Sequence, residues 1–351
     1  MLNWIISGDH PRSRILTIVL LVVLLGLAFA PFVFPGTRSL AVAARICVLI
    51  VLVASYDILL GYTGIVSFAH TMFFGIGAYG VAISLNALGP SWGAVGLGTV
   101  AGVLLSIVVA AVIGLLSLRV RAIFFSMITL AVASFFLILA SQLSWLTGGE
   151  DGMSFSIPRL LSPAFKLVDG EVLGQKINGR IIAYYMVFLV SLLLFLFMLR
   201  VVNSPFGRVL QAIRENDFRA EALGNRVVIY RTAASCLVAA LAALAGVLNA
   251  LWLRYTGPDA TLSFAIMLDV LLMVVIGGMG TLYGAVIGVV ILSLAQFYLQ
   301  DLMGTASEAL AGIPILPELI AADRWMLWLG ILFVLSVYFF PTGIVGKLRE
   351  R

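Results

Sequence analysis

The stretch from Gly61 to Gly80 reads GYTGIVSFAHTMFFGIGAYG. It is apolar enough for a bilayer interior, yet it carries five glycines, a histidine and several hydroxyls. A helix built only to span lipid gains nothing from such loosening, since each interior glycine costs about 1 kcal/mol relative to alanine. The rest of the chain decides where this stretch lies. Hydrophobic residues fill 62% of the 351 positions and charged residues only 11%, against about 25% charged in soluble domains. Apolar windows of roughly 20 residues, the length that crosses a hydrocarbon core, recur between short charged connectors. The expected fold class is all-α, a polytopic transmembrane helical protein.

Ten windows are read, at 15–34, 40–60, 67–87, 93–118, 122–144, 181–200, 232–253, 264–279, 283–299 and 325–340. An even count places both termini on one side. Of the 21 Lys and Arg residues, thirteen fall on that side, seven fall opposite and Arg45 lies within a span. The excess of positive charge predicts that both termini are cytoplasmic. The same scatter of basic residues through connectors argues against a nucleic-acid surface, despite a pI near 9.4. The first window follows Arg12 and Arg14 and contains Ala28-Phe29-Ala30. It is long for a signal peptide and is followed by many further spans, so an uncleaved first helix is expected.

The chain reads as one transmembrane domain over 1–351, with a periplasmic connector at 145–180 and a cytoplasmic connector at 200–231. The outer connector mixes charge, proline and glycine, which predicts short surface helices or strands. The inner one has helical periodicity, with Val209, Leu210 and Ile213 followed by Phe218, Ala222 and Leu223. Ser204-Pro205 is a helix start and Gly224-Asn225 a stop, predicting one helix over about 208–224.

Gly75-Ile-Gly77-Ala-Tyr-Gly80 matches GxGxxG, but no strand, soluble βαβ unit or spaced acidic residue accompanies it, so nucleotide binding is excluded. Close helix packing is the better reading, as for Gly280, Gly284 and Gly288, spaced four apart and so on one face if helical. Gly343-Ile-Val-Gly346-Lys347 lacks the spacing and hydroxyl of a phosphate-binding loop, so any driving ATP is bound by another chain. Two glycine clusters ask for more than packing. Gly61-Tyr-Thr-Gly64 joins the second and third windows, and Gly277-Gly278-Met-Gly280 joins the eighth and ninth. Neither joint carries the charges of an ordinary turn. Such paired interruptions predict broken helices beside a substrate path, tolerated where protein or water satisfies the freed backbone.

Arg45, Asp57, His70 and Asp269 are the ionisable residues inside spans, and such residues pair or line a cavity. Arg45 and Asp57 lie about 18 Å apart along one helix and do not pair. Asp57, close to the Gly61 break, reads as a membrane-edge residue of little consequence. His70, near Ser67 and Thr71, fits either a hydrogen-bonded structural role or a place on the path. Asp269, about two turns before Gly277, fits a role in the path or its gating. The candidate path residues are therefore Gly61, Gly64, His70, Asp269, Gly277, Gly278 and Gly280. Cys47 and Cys236 are lone residues in apolar runs, and His10 is juxtamembrane. No spacing suggests a metal, a cofactor or a catalytic centre, so the chain is read as a transporter without enzymatic activity of its own.

At this point the motifs resemble a known family. GYTGIVSFAHTMFFGIGAYG is similar to the signature of branched-chain amino acid ABC-importer permeases of the LivM type. Leu146-Thr-Gly-Gly-Glu-Asp-Gly152, FGRVLQAIREN (206–216) with RAEALG (219–224), and DVLLMVVIGGMGT (269–281) match further family motifs in order. The resemblance, over roughly 40–345, implies a subunit of the bacterial inner membrane that moves branched-chain or related apolar amino acids inward by alternating access. Permeases for urea, amides or other small solutes look similar, and a stand-alone secondary transporter is the alternative outside the family. The implied partners are a second homologous permease subunit, two cytoplasmic ATPase subunits, a periplasmic substrate-binding protein and the amino acid. The inner helix becomes the coupling element, with Arg208, Arg214, Glu215, Phe218, Arg219, Glu221, Leu223 and Gly224 facing an ATPase.

Overall fold

A computed structural model describes residues 13–33, 36–117, 122–163, 165–172, 175–309, 321–339 and 342–349. His10, Arg12, Arg119, Arg121 and Arg351 lie outside the described residues. The chain enters through α1 (Arg14–Ala28) and the short α2 (Ala30–Val33), then α3 (Thr37–Thr63), α4 (His70–Leu88), α5 (Trp92–Ser117) and α6 (Ala122–Gln142). After the single turn α7 (Ser144–Thr147) come β1 (Met153–Ser154) and the antiparallel pair β2 (Lys166–Val172) and β3 (Gln175–Asn178). Then follow α8 (Gly179–Val202), α9 (Pro205–Glu215), α10 (Asp217–Ala222) and α11 (Val227–Leu253). The last part comprises β4 (Tyr255–Thr256), α12 (Pro258–Thr261), α13 (Phe264–Gly277), α14 (Leu282–Ala309), α15 (Trp325–Phe339) and α16 (Gly343–Arg349).

Nine of the ten apolar windows fall on one helix each, and the first, read as a single helix over 15–34, is split at Phe29 into α1 and α2; residues 34, 118 and 340 lie outside the described residues. Eight helical segments are long and apolar enough to cross a membrane, while Arg14–Ala28 and the α15 stretch Trp325–Ser336 are shorter. The outer connector holds α7, two 3-10 turns and strands β1 to β3, as its composition predicted.

α3 is the hub. Between Arg45 and Ser55 it is apolar on every side, the pattern of a helix surrounded by others, and residues 46–59 are all buried. It packs on α8, α11, α13 and α14. On its far flank α4, α5 and α11 form the closest trio, because glycines remove the side chains between them. A Cβ on Gly77 would collide with the Ala243 backbone, one on Gly246 with the Phe74 carbonyl, and one on Gly80 with Gly98 and Gly102. α1, α5, α6 and α15 carry rows of exposed Leu, Val, Ile and Phe, the surface a bilayer would cover. The last carbonyls of α1 are held by α8, where Tyr184 Oη donates to Leu27 O at 2.5 Å and Tyr185 Oη to Ala28 O at 2.9 Å.

Local chemistry sets the ends. Ser204 accepts from Gly207 N at 3.4 Å with Pro205 at the first helical position, so α9 starts where the sequence predicted. The single helix expected over 208–224 is instead two. Asn216 adopts extended backbone, ends α9, and accepts from Arg219 N at 3.0 Å as the N-cap of α10. Gly280 also departs from expectation. It precedes α14 in left-handed backbone (φ 80°), so only Gly284 and Gly288 share the helix face that closes on α13.

Candidate substrate path and coupling site

α3 ends at Gly64 (φ 72°), whose left-handed backbone only glycine adopts cheaply. Residues 65–69 then pass without helix or strand back along α3, and α4 begins at His70. His70 Nε2 lies 2.8 Å from Leu52 O and 3.0 Å from Ser55 Oγ. A carbonyl has no hydrogen to give, so Nε2 is the donor. Leu52 precedes the end of α3 by eleven residues, about 16 Å of helix at 1.5 Å per residue. α4 therefore starts deep inside the bundle.

An irregular segment at that depth needs polar partners, and α6 supplies them. Ser126 Oγ donates to Val66 O at 2.8 Å, and Phe68 N donates to Thr129 Oγ1 at 3.1 Å. Beneath the segment is a cavity of ≈ 10 Å³, bordered by Ser67, His70, Thr129 and Ser235, room for about one water. His70 is thus a buried hydrogen-bonded tie between α4 and α3, with the Tyr56 ring 5.2 Å from its own.

The second break, Gly278–Thr281, meets the first. Gly278 (φ 117°) and Gly280 (φ 80°) both have backbone that favours glycine. Asp57 is fully buried and its Oδ1 accepts from Gly280 N at 2.8 Å, at the N-terminal end of α14 where a helix dipole favours negative charge. The reading of Asp57 as an idle membrane-edge residue is thereby corrected. The signal was present in the sequence: Asp57 precedes Gly61 by one helical turn and shares its face. Gly61 packs so closely that a Cβ would enter the Gly280 backbone.

Arg214 joins both breaks to the inner connector. Its Nη1 donates to Gly61 O. A Cβ on Gly280 would come within 2.9 Å of that same nitrogen, and one on Gly64 within 3.3 Å of Arg214 Cγ. Leu210, Ile213 and Ala220 anchor α9 and α10 on their inner face, Phe206 stacks on Tyr230, and Asp217 pairs with Arg231 at 2.9 Å. On the outer face Arg208, Glu215, Arg219, Glu221 and Gly224 are exposed, with Phe218 and Leu223 exposed by 85% and 81%. Gly277 packs on Gly284, and Gly278 on the start of α16. Asp269 stands apart on α13, partly exposed. The structure thus brings together Gly61, Gly64, Gly278, Gly280 and Arg214, and leaves His70 and Asp269 at separate places. Among the described residues, no cluster of His, Cys, Asp or Glu is arranged to hold a metal.

Residues 38–337 match the family model described as branched-chain amino acid transport system / permease component. The chain belongs to that family. The permease is 27% identical to the high-affinity branched-chain amino acid transport system permease protein LivM of Salmonella typhimurium, over 99% of this chain and 78% of that protein. The LivM protein of Escherichia coli gives the same figures. A probable LivM of Methanocaldococcus jannaschii is 29% identical over 70% of this chain and 66% of its own length. No solved structure matches the permease. With its apolar helices, the family places it as a multi-pass protein of the inner membrane.

Proposed function

We propose that the permease is the membrane subunit of an ATP-driven importer for branched-chain amino acids, working by alternating access. A second homologous permease completes the path, a periplasmic binding protein delivers the substrate, and two cytoplasmic ATPases drive the cycle through α9 and α10. The observation that carries this reading is the Arg214 bridge, because one side chain of the exposed connector holds the Gly61 carbonyl beside Gly280. Any tilt of α9 imposed by an ATPase would pull on both helix breaks at once. The glycines allow such a backbone change at low steric cost. The exposed Phe218 and Leu223 offer the apolar contact through which an ATPase would grip the connector.

Arg214→Gln tests it in the complete importer in proteoliposomes. A hydrogen bond from a charged group is worth about 2 kcal/mol, so leucine uptake should fall roughly thirtyfold while ATPase subunits still co-purify and hydrolyse ATP. Arg214→Lys, a point charge without the planar fork, should restore only part of the uptake. Unchanged uptake with Arg214→Gln would remove the bridge as the coupling device.

A further inference from the structure

α1 is fastened to the bundle at its two ends. Leu16 is buried against Ile287 of α14 and Val345 of α16, and α8 holds the carbonyls of Leu27 and Ala28 through Tyr184 and Tyr185. Between these anchors lies a cavity of ≈ 350 Å³ enclosed by α1, α3, α8 and α14. Its lining runs from Thr17 to Leu27 on α1 and from Leu199 to Phe188 on α8, about 15 Å of helix on each side. Measured from the end that carries α9, that length is half of a hydrocarbon core roughly 30 Å thick.

The lining suits hydrocarbon. Only Thr17, Ser191 and Tyr283 carry hydroxyls and only Cys47 a thiol; every other lining residue is Leu, Ile, Val or Phe. An apolar cavity of this kind excludes water and takes apolar molecules, and one of about 150 Å³ already holds a benzene. Leu21 and Leu24 line the space and are also exposed, so its mouth opens on the lipid-facing surface. Cations stand at its α9 end. Arg14 precedes the lining residues Thr17 and Leu21 by three and seven positions, and Arg200 follows Leu196 by four. Each therefore shares the helix face that lines the cavity, and both are exposed. An apolar slot one leaflet deep that ends at two cations is complementary to an acyl chain with an anionic headgroup.

We propose that this cavity binds an anionic phospholipid from the leaflet on the α9 side. One acyl chain fills the space between α1 and α8, and the phosphate lies between Arg14 and Arg200. The lipid thereby completes the packing of α1, which the protein itself leaves open.

The test uses the full-length permease, purified with its partner subunits, in phosphatidylcholine vesicles that hold a trace of phosphatidylglycerol with a photoactivatable diazirine in mid-chain. Mass spectrometry should locate the cross-links on the lining stretches of α1 and α8, well ahead of the exposed face of α5 around Leu104. Each cation near the surface favours an anionic lipid about fivefold. Phosphatidylcholine carrying the same diazirine chain should therefore label the cavity roughly twentyfold less, and Arg14→Gln with Arg200→Gln should abolish that difference. Ser191 is buried on the cavity wall with no hydrogen-bond partner among the described residues, so its replacement breaks no bond. Ser191→Phe sets a ring in the space and should remove most of the labelling there. Labelling spread evenly over the lipid-facing helices overturns the proposal, as does equal labelling by the two lipids or labelling that Ser191→Phe leaves unchanged. Labelling of α1 and α8 only when the permease is purified alone also overturns it, by making the slot a subunit contact. Where Ser191→Phe yields no folded protein, the cross-link positions and the lipid comparison in the parent decide.

Discussion

Gly64 and Gly77 stand in one motif and do different work. The Cβ position of Gly77 is filled by the Ala243 backbone, so Gly77→Val wedges α4 from α11, and no folded permease should be recovered from membranes. Gly64 has room but a left-handed backbone, where an L side chain costs about 1–2 kcal/mol and presses on Arg214. Gly278→Val meets a comparable penalty at φ 117° and approaches Thr342 O. Gly64→Val and Gly278→Val are each expected to insert and co-purify with partner subunits yet lose leucine uptake. Normal uptake by both would reduce the breaks to packing. The packing role of the glycines was legible from their spacing in an apolar stretch. That Gly61 touches Gly280 was not, because nothing local to either records a contact between residues 219 positions apart. Asp57 and Arg214 were legible as charges, but the carbonyl and amide they hold belong to the folded backbone alone.

The inner connector shows the same division at the scale of an element. Its periodicity placed Leu210 and Ile213 on a buried face, and the structure agrees. In a continuous helix Asp217 would fall on the buried face, four residues after Ile213 and seven after Leu210, so an acid at that place was the sign of a break that apolar periodicity alone reads over. An Asn that caps the amide three residues on is nevertheless a helix start, and Asn216 does so at 3.0 Å. The break turns α10 into a separate block carrying Phe218, Glu221 and Leu223, held back to the bundle by the Asp217–Arg231 pair. An apolar pair so exposed in a polar setting marks a contact surface. Glu221→Arg combined with Leu223→Asp puts a base where the surface has an acid and a charge where it has an apolar side chain, without touching the buried Ala220. The double variant should reach the membrane in normal amount and lose most leucine uptake and nucleotide-stimulated activity. Uptake at the parent rate would take the docking role away from α10.

For the whole molecule, the composition made the membrane class plain, and every apolar window proved helical, the first in two pieces. What it left open was which helix lies at the centre and which connectors share an end. α3 is central because its long apolar run is covered on every side over residues 46–59, by α8, α11, α13 and α14, a property of the set of helices rather than of α3 itself. The breaks at Gly61 and Gly280, the connector α9–α10 and the start of α16 gather at one end. At the other, β1 pairs with β4 and Tyr255 Oη donates to Asp151 O. The first end carries Arg208, Arg214, Arg219 and Arg226 between α8 and α11, with Arg200 and Arg231 in the turns of those helices beside them, and this excess of Arg predicts a cytoplasmic position for it. Trp145, 80% exposed, and Leu223 mark the two ends. In a background with Cys47 and Cys236 replaced by alanine, Trp145→Cys should react with a membrane-impermeant thiol reagent in spheroplasts, and Leu223→Cys only in inverted vesicles. Reaction of Leu223→Cys in sealed spheroplasts would invert the molecule, put the Arg214 bridge on the face away from any cytoplasmic ATPase, and leave α9 and α10 without a motor to couple to.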